Sequence, residues 1–316
     1  MAWGWLVAGL AGWPAAGGGL GLEPGVLCVQ IRARLERGRP AMAGDWPYSS
    51  PELSGPASEL DASVPHIARV YDYWLGGKDN FAVDREAAEQ VIAAYPQILL
   101  DVRAQREFLA NAVRYLAGVV GVRQFLDIGT GIPTANNTHE VAQGVESGCR
   151  VVYVDNDPMV LAHARALLVG VTAPTAYVDA DLRDTGQVLA EAARLLDFSE
   201  PVAVMLISVL HLIGDEDDPH AIVARLMEAV PSGSWLALSH PARDVHPQQV
   251  SEAASRFNQL APAKATLRTR AEILRLFDGL ELQEPGLVQV HQWRPGSAAP
   301  GHNRETAGYC GLARKP

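Results

Sequence analysis

The chain has 316 residues, a formal net charge of −10 and an isoelectric point near 5.4, with 48% hydrophobic residues. That length admits one large α/β domain with appendages. The acidic balance excludes a general electrostatic footprint for nucleic acid, so no nucleic-acid partner is expected. Cys28, Cys149 and Cys310 are scattered along the chain and read as reduced thiols of a cytoplasmic protein, not as a disulfide frame. Neither these cysteines nor His139, His163, His220 and His240 stand at metal-ligand spacing, so no metal is expected.

Residues 1–60 are rich in Gly, Ala and Pro and are expected to be disordered. Met42 is a second candidate start, which would make residues 1–41 translated upstream sequence; a peptide recovered from residues 5–30 of the native protein would exclude this. The opening 22 residues lack a positively charged n-region, and their Gly and Pro content makes a poor membrane helix. No membrane association is expected.

From Ser63 the character changes. A short helix with Pro65 in its first turn stops at Gly76-Gly77. A second, capped by Asp84, runs to about residue 94, and a third spans 98–117 with Leu99, Val102, Phe108, Leu109, Val113 and Leu116 at helical spacing. These helices, residues 61–120, are expected to form a lid over the domain of residues 121–316. Strands near 124–128, 150–155, 175–179, 202–208 and 234–239 then alternate with helices near 137–146, 158–169, 186–196 and 219–230. Such alternation predicts right-handed βαβ units and a parallel, doubly wound sheet. Two more helices (247–259 and 270–277) and two more strands (280–290 and 309–313) follow, consistent with a closing hairpin on one edge.

The first strand ends in Asp127-Ile128-Gly129-Thr130-Gly131. Glycines at the carboxyl end of a buried strand let the chain turn sharply and bring bare backbone to a ligand, in the crevice where such folds bind them. A dinucleotide turn wants a third small residue three places on and a helix amino-terminus for the pyrophosphate. Here that place is Thr134, preceded by Pro133, and Asp127 would set negative charge near the phosphates. A cationic ligand with a free amine and no phosphate suits the turn better, and S-adenosylmethionine is such a ligand. The second strand ends in Asp155, placed to accept ribose hydroxyls, and Asp181 follows the third, placed to accept from an adenine amino group. The competing reading of these three aspartates is as turn formers and helix caps.

His66-Ile-Ala-Arg-Val-Tyr-Asp-Tyr-Trp-Leu-Gly-Gly-Lys-Asp-Asn80, Gln124-Phe-Leu-Asp-Ile-Gly-Thr-Gly-Ile-Pro-Thr134, Asn137-Thr-His-Glu-Val-Ala-Gln143 and Val151-Val-Tyr-Val-Asp-Asn-Asp-Pro158 resemble the S-adenosyl methyltransferase family abundant in actinobacteria. The resemblance runs from about residue 63 to the end. It implies a mostly parallel, seven-stranded, Rossmann-like class I methyltransferase sheet with an antiparallel last strand. It also implies cofactor contacts from the backbone at Gly129–Gly131, from Asp155 to the ribose, and from Asp181 and Leu182 to the adenine.

The predicted cofactor-binding set is Asp127, Ile128, Gly129, Thr130, Gly131, Asp155, Asn156, Asp181, Leu182 and Ser208. Arg69, Tyr73, Lys78 and Asn80 are candidate substrate or lid residues, and their segment reads equally well as lid core and turn. Tyr73, Asp84 and His211 are candidate bases. The expected activity is methyl transfer to a small-molecule acceptor. The rivals are a non-catalytic cofactor-binding module and an NAD-dependent oxidoreductase, and self-association is open.

Overall fold

The computed structural model describes residues 61–167, 174–293 and 305–316. The expectations for residues 1–60 lie outside the described residues.

Three helices come first: α1 (Ile67–Leu75), α2 (Ala82–Ala94) and α3 (Ile98–Tyr115). Gly76 ends α1 in the left-handed conformation, its φ of 85° being cheap only for glycine. Helix α2 begins two residues before Asp84, which caps it from inside: the Phe81 N–H donates to Asp84 Oδ2 at 2.8 Å. Helix α3 runs on into a π-helical turn, Leu116–Val120, that ends at Gly121.

The strands are β1 (Gln124–Ile128), β2 (Arg150–Asp155), β3 (Thr175–Asp179), β4 (Ala203–Ile207), β5 (Trp235–Pro241), β6 (Glu281–Leu282), β7 (Val288–Gln289) and β8 (Gly308–Arg314). Between them lie α4 (Thr138–Val145), α5 (Pro158–Leu167), α6 (Thr185–Ala192), α7 (Pro219–Glu228), α8 (Pro247–Leu260) and α9 (Arg270–Arg275). The sheet order is β3-β2-β1-β4-β5-β8-β6. Strands β1 to β5 pair in parallel and β8 runs antiparallel between β5 and the edge. This is the expected doubly wound class I arrangement. Because β1 leads to β2 and β3 on one side while β4 and β5 lie on the other, the strand order reverses between β1 and β4. A crevice opens there at the carboxyl ends.

The sheet is apolar on both faces, as βαβ crossovers require. Leu126, Ile128, Val152, Val154, Val204 and Leu206 point to one face, and Phe125, Val151, Tyr153, Ala203 and Met205 to the other. Helices α3 and α4 cover the second face, while α1 and α2 join the first and α2 packs on α8.

The outermost position differs from the single strand expected over 280–290. Two short segments, β6 and β7, share the edge of β8, because Pro285 has no N–H to donate and Gly286 closes a turn onto Gln283. The sheet therefore has seven positions but eight strands.

One buried carboxyl couples the fold to pH. Asp101 on α3 is 8% exposed; its Oδ2 accepts from Tyr95 Oη and Ala307 N at 3.0 and 3.2 Å, and burial pushes its pKa up to about 7. A raised carboxyl pKa means the folded chain binds more protons than the unfolded chain between about pH 4 and 7. Stability therefore falls as pH rises through that window. Asp101→Asn is expected to flatten this decline, so that thermal unfolding at pH 5 and pH 8 differs less than in the parent. Equal differences in the two proteins would refute it.

Candidate active site

The glycine turn is fixed from two sides. Gly129 and Gly131 adopt φ of 74° and 66°, and a Cβ on Gly129 would lie 2.3 Å from Val209 Cγ2. No other residue fits at Gly129 without displacing the segment after β4. From β2, Asp155 Oδ2 accepts from Gly131 N at 2.9 Å and Oδ1 accepts from Asp157 N at 3.0 Å. Ser208, past the end of β4, holds a φ of 52°, and its N–H reaches the Ser239 carbonyl and hydroxyl oxygens, each at 3.1 Å.

A cavity of about 1270 Å³, counting its open mouth, lies over this rim with α1 on its far side. All ten residues of the predicted cofactor set line it. Asp127 is 4% exposed and accepts from Thr138 Oγ1 at 2.6 Å. Burial raises its pKa to about 6, against the pull of that hydrogen bond and of the Arg106 charge. Asp155 is likewise pushed up by burial, although the Asp157 and Gly131 N–H groups oppose the shift. At the other end, Asn156 Nδ2 donates to Asp181 Oδ2 at 3.2 Å, and Arg183 pairs with Asp181 at 3.1 Å and Asp217 at 2.7 Å.

The lid candidates fall elsewhere. Arg69 is 3% exposed and pairs with Asp84, itself fully buried. Tyr73 Oη donates to Glu89 at 2.6 Å, Lys78 is exposed, and Asn80 Nδ2 donates to Asp72 Oδ2 at 2.8 Å. None of these, nor Asp84, lines the cavity. His211 is also off the wall, although its neighbours Leu212 and Ile213 are on it. Its ring lies edge-on to His240 with centroids 6.1 Å apart. Burial, then the Arg268 charge, lowers its pKa to about 4, so it is neutral at pH 7.

The wall instead takes His66, Ile67, Ala68, Tyr71, Asp72 and Leu75 from the amino-terminal segment. Residues 67, 71 and 75 recur every four positions on one helical face, whereas Arg69 and Tyr73 share another. The direction of that face could not be read locally, since aromatic and polar residues stand on every side of the helix. His66 Nδ1 sits 2.6 Å from Asp157 Oδ2 and joins the start of α1 to the loop after β2. Burial favours protonated Asp157, but the bond and charge of His66 outweigh it and hold the carboxyl below its usual range. Two arginines, Arg106 and Arg183, also reach the wall and were missed. The available signal for Arg106 was its place on the apolar stripe of α3, between Val102 and Leu109.

The model for the family described as S-adenosyl methyltransferase matches residues 54–316. The chain belongs to this family. It is a methyltransferase of the class I fold, and S-adenosylmethionine is its methyl donor. A crystal structure of a DUF574 family protein from Streptomyces avermitilis is 45% identical, with a TM-score of 0.79, covering 81% of this chain and 100% of that one. A candidate methyltransferase from Thermobifida fusca is 40% identical, with a TM-score of 0.76, covering 83% of this chain and 99% of that one. No curated protein matches.

The residues present fit that donor. Asp155 retains lone pairs beyond its two backbone bonds, a carboxyl at Asp127 faces the cavity, and the buried Arg106 Nε has no partner among the described residues. A pyrophosphate is not served, because the next helix, α4, starts only at Thr138. Among the described residues no His, Cys, Asp and Glu cluster could hold a metal, and no helix is long and apolar enough to cross a membrane.

Proposed function

We propose that this methyltransferase acts on a small-molecule acceptor in the cytoplasm, with residues 61–120 as the lid that closes over it. The observation that carries this is the cavity: Leu75, Leu109, Ile207, Leu212 and Ile213 line it together with the carboxylates of the rim. A concave, largely apolar wall with a few polar groups suits a compact ligand. The anionic lining of Asp72 from α1 and Asp127, Asp155 and Asp181 from the rim is unsuited to a phosphate backbone.

The donor brings a methyl group already activated by a sulfonium. What the chain supplies is position. Asp155 takes the ribose hydroxyls, Asp181 and Leu182 border the adenine with Asn156 steadying Asp181, and Asp127 takes the ammonium. The backbone of Ile128, Gly129, Thr130 and Gly131, with Ser208 opposite, lines the methionine end. Positioning and the exclusion of water account for about 7–11 kcal/mol in favourable cases. The structure favours no base among Tyr73, Asp84 and His211, all of which are off the wall.

Labelled methyl transfer into size-fractionated cell extract tests the acceptor class. Label is expected in the low-mass fraction, and label in protein or RNA would overturn the reading. The role of Asp127 has its own signature. A protonated Asp127 cannot pair with an ammonium, so affinity for S-adenosylhomocysteine is expected to weaken below pH 6, about tenfold by pH 5. Asp127→Asn should flatten that dependence, and a flat profile in the parent would exclude the pairing.

A further inference from the structure

Arg106 is an arginine turned inward. On α3 it lies between the buried Val102, Leu109 and Val113, on the stripe that faces the sheet. Its Nη2 donates to the carbonyls of Ala135 and Asn136 at 3.2 and 3.3 Å, which fixes the guanidinium against the segment that follows the glycine turn. Its Nε is buried with no partner, and among the described residues no carboxylate lies within ion-pair distance. A charged donor left in this state is costly unless a ligand completes it.

The other basic side chains of the wall are committed. Arg183 is held by Asp181 and Asp217, and His66 by Asp157. Arg106 alone among the described wall residues adds positive charge without an anionic partner. It stands on the same wall as Asp127 and close enough for its charge to act on that carboxyl. A cation and an anion in one wall, not paired with each other, match a zwitterion.

From this geometry we propose that Arg106 binds the carboxylate at the amino-acid end of the donor while Asp127 faces its ammonium. The inference rests on the rim being the donor site. The planar guanidinium suits a carboxylate in a way a point charge does not, which explains an arginine here. A carboxylate on the acceptor would have the same chemistry, and the test separates the two sources.

Calorimetry would compare S-adenosylhomocysteine with 5′-methylthioadenosine, which keeps the adenosine and sulfur but lacks the amino-acid end. Arg106→Met is expected to weaken S-adenosylhomocysteine about 10- to 100-fold and to leave methylthioadenosine unchanged. Arg106→Lys, which keeps charge and stem, should give a severalfold loss on S-adenosylhomocysteine alone, and it stands in if the methionine variant does not fold. Unchanged S-adenosylhomocysteine affinity would assign Arg106 to the acceptor or to nothing, and overturns the proposal. Equal losses for both ligands would show that Arg106 only shapes the site, and overturn it too. If the parent protein binds neither ligand, the assignment of the rim fails instead.

Discussion

Replacing Asp84 with alanine is expected to cost about 3–5 kcal/mol of stability, the range for breaking a buried ion pair from one side. Asp84 is fully buried and Arg69 is 3% exposed. One carboxylate there serves three donors: His66 N at 2.9 Å, Arg69 Nε at 3.0 Å and Phe81 N at 2.8 Å. Alanine would leave the buried Arg69 guanidinium, which otherwise donates only to the Asp61 and Val64 carbonyls, without a counter-charge, and would orphan two backbone N–H groups. The pairing also fixes His66, the first residue of the cavity wall, so donor affinity should fall with stability. Urea unfolding measures the first effect. The double variant Asp84→Ala with Arg69→Met should recover part of the loss, since no lone charge remains. A loss below about 1 kcal/mol for Asp84→Ala would contradict the pair's structural role.

The second large effect is on binding and not on folding. Asp155→Ala is expected to reduce S-adenosylhomocysteine affinity at least about 100-fold, the worth of charge-assisted hydrogen bonds to two ribose hydroxyls. It also releases Gly131 N, so the turn loses its clamp from β2. The fold should survive. The ladder from Val151 to Asp155 against β3 is made by backbone, and Gly129 N still donates to the Val154 carbonyl at 2.8 Å. Removing a carboxyl whose pKa burial has raised also relieves a desolvation cost. Calorimetry paired with thermal unfolding separates the outcomes: unchanged affinity would remove Asp155 from the site, and an unfolded variant would make it structural.

Much of this cavity wall is legible in the sequence. The strands at Gln124–Ile128, Arg150–Asp155 and Thr175–Asp179 coincide with their expected spans, because each is a short apolar run closed by a turn former. The ends of these strands carry Asp127, Gly129, Gly131, Asp155 and, just beyond, Asp181. Parallel pairing brings strand ends to one rim, so residues remote in sequence become neighbours by topology alone. That step needs the order of elements and no side-chain detail.

Other features were not local. Tyr73 and Asp84 look like chemistry in sequence, yet Tyr73 is turned toward Glu89 and Asp84 is spent on Arg69. Pro285 and Gly286 mark the break between β6 and β7 in hindsight, but an edge strand tolerates proline, so they did not decide it. Arg106 could be seen as an arginine on an apolar stripe, but its partners Ala135 and Asn136 lie in a loop whose path depends on the packing of α3 over α4.

The sequence by itself determined the α/β class, the glycine turn and the carboxylates at the strand ends, because periodicity and strand-end chemistry are written over a few residues. Only the tertiary structure decided which face of α1 lines the cavity, that Asp84 is a strut, and that Arg106 enters the wall. Those outcomes depend on how a helix rotates about its axis to bury its best stripe, and that rotation is set by contacts with segments far away in the chain.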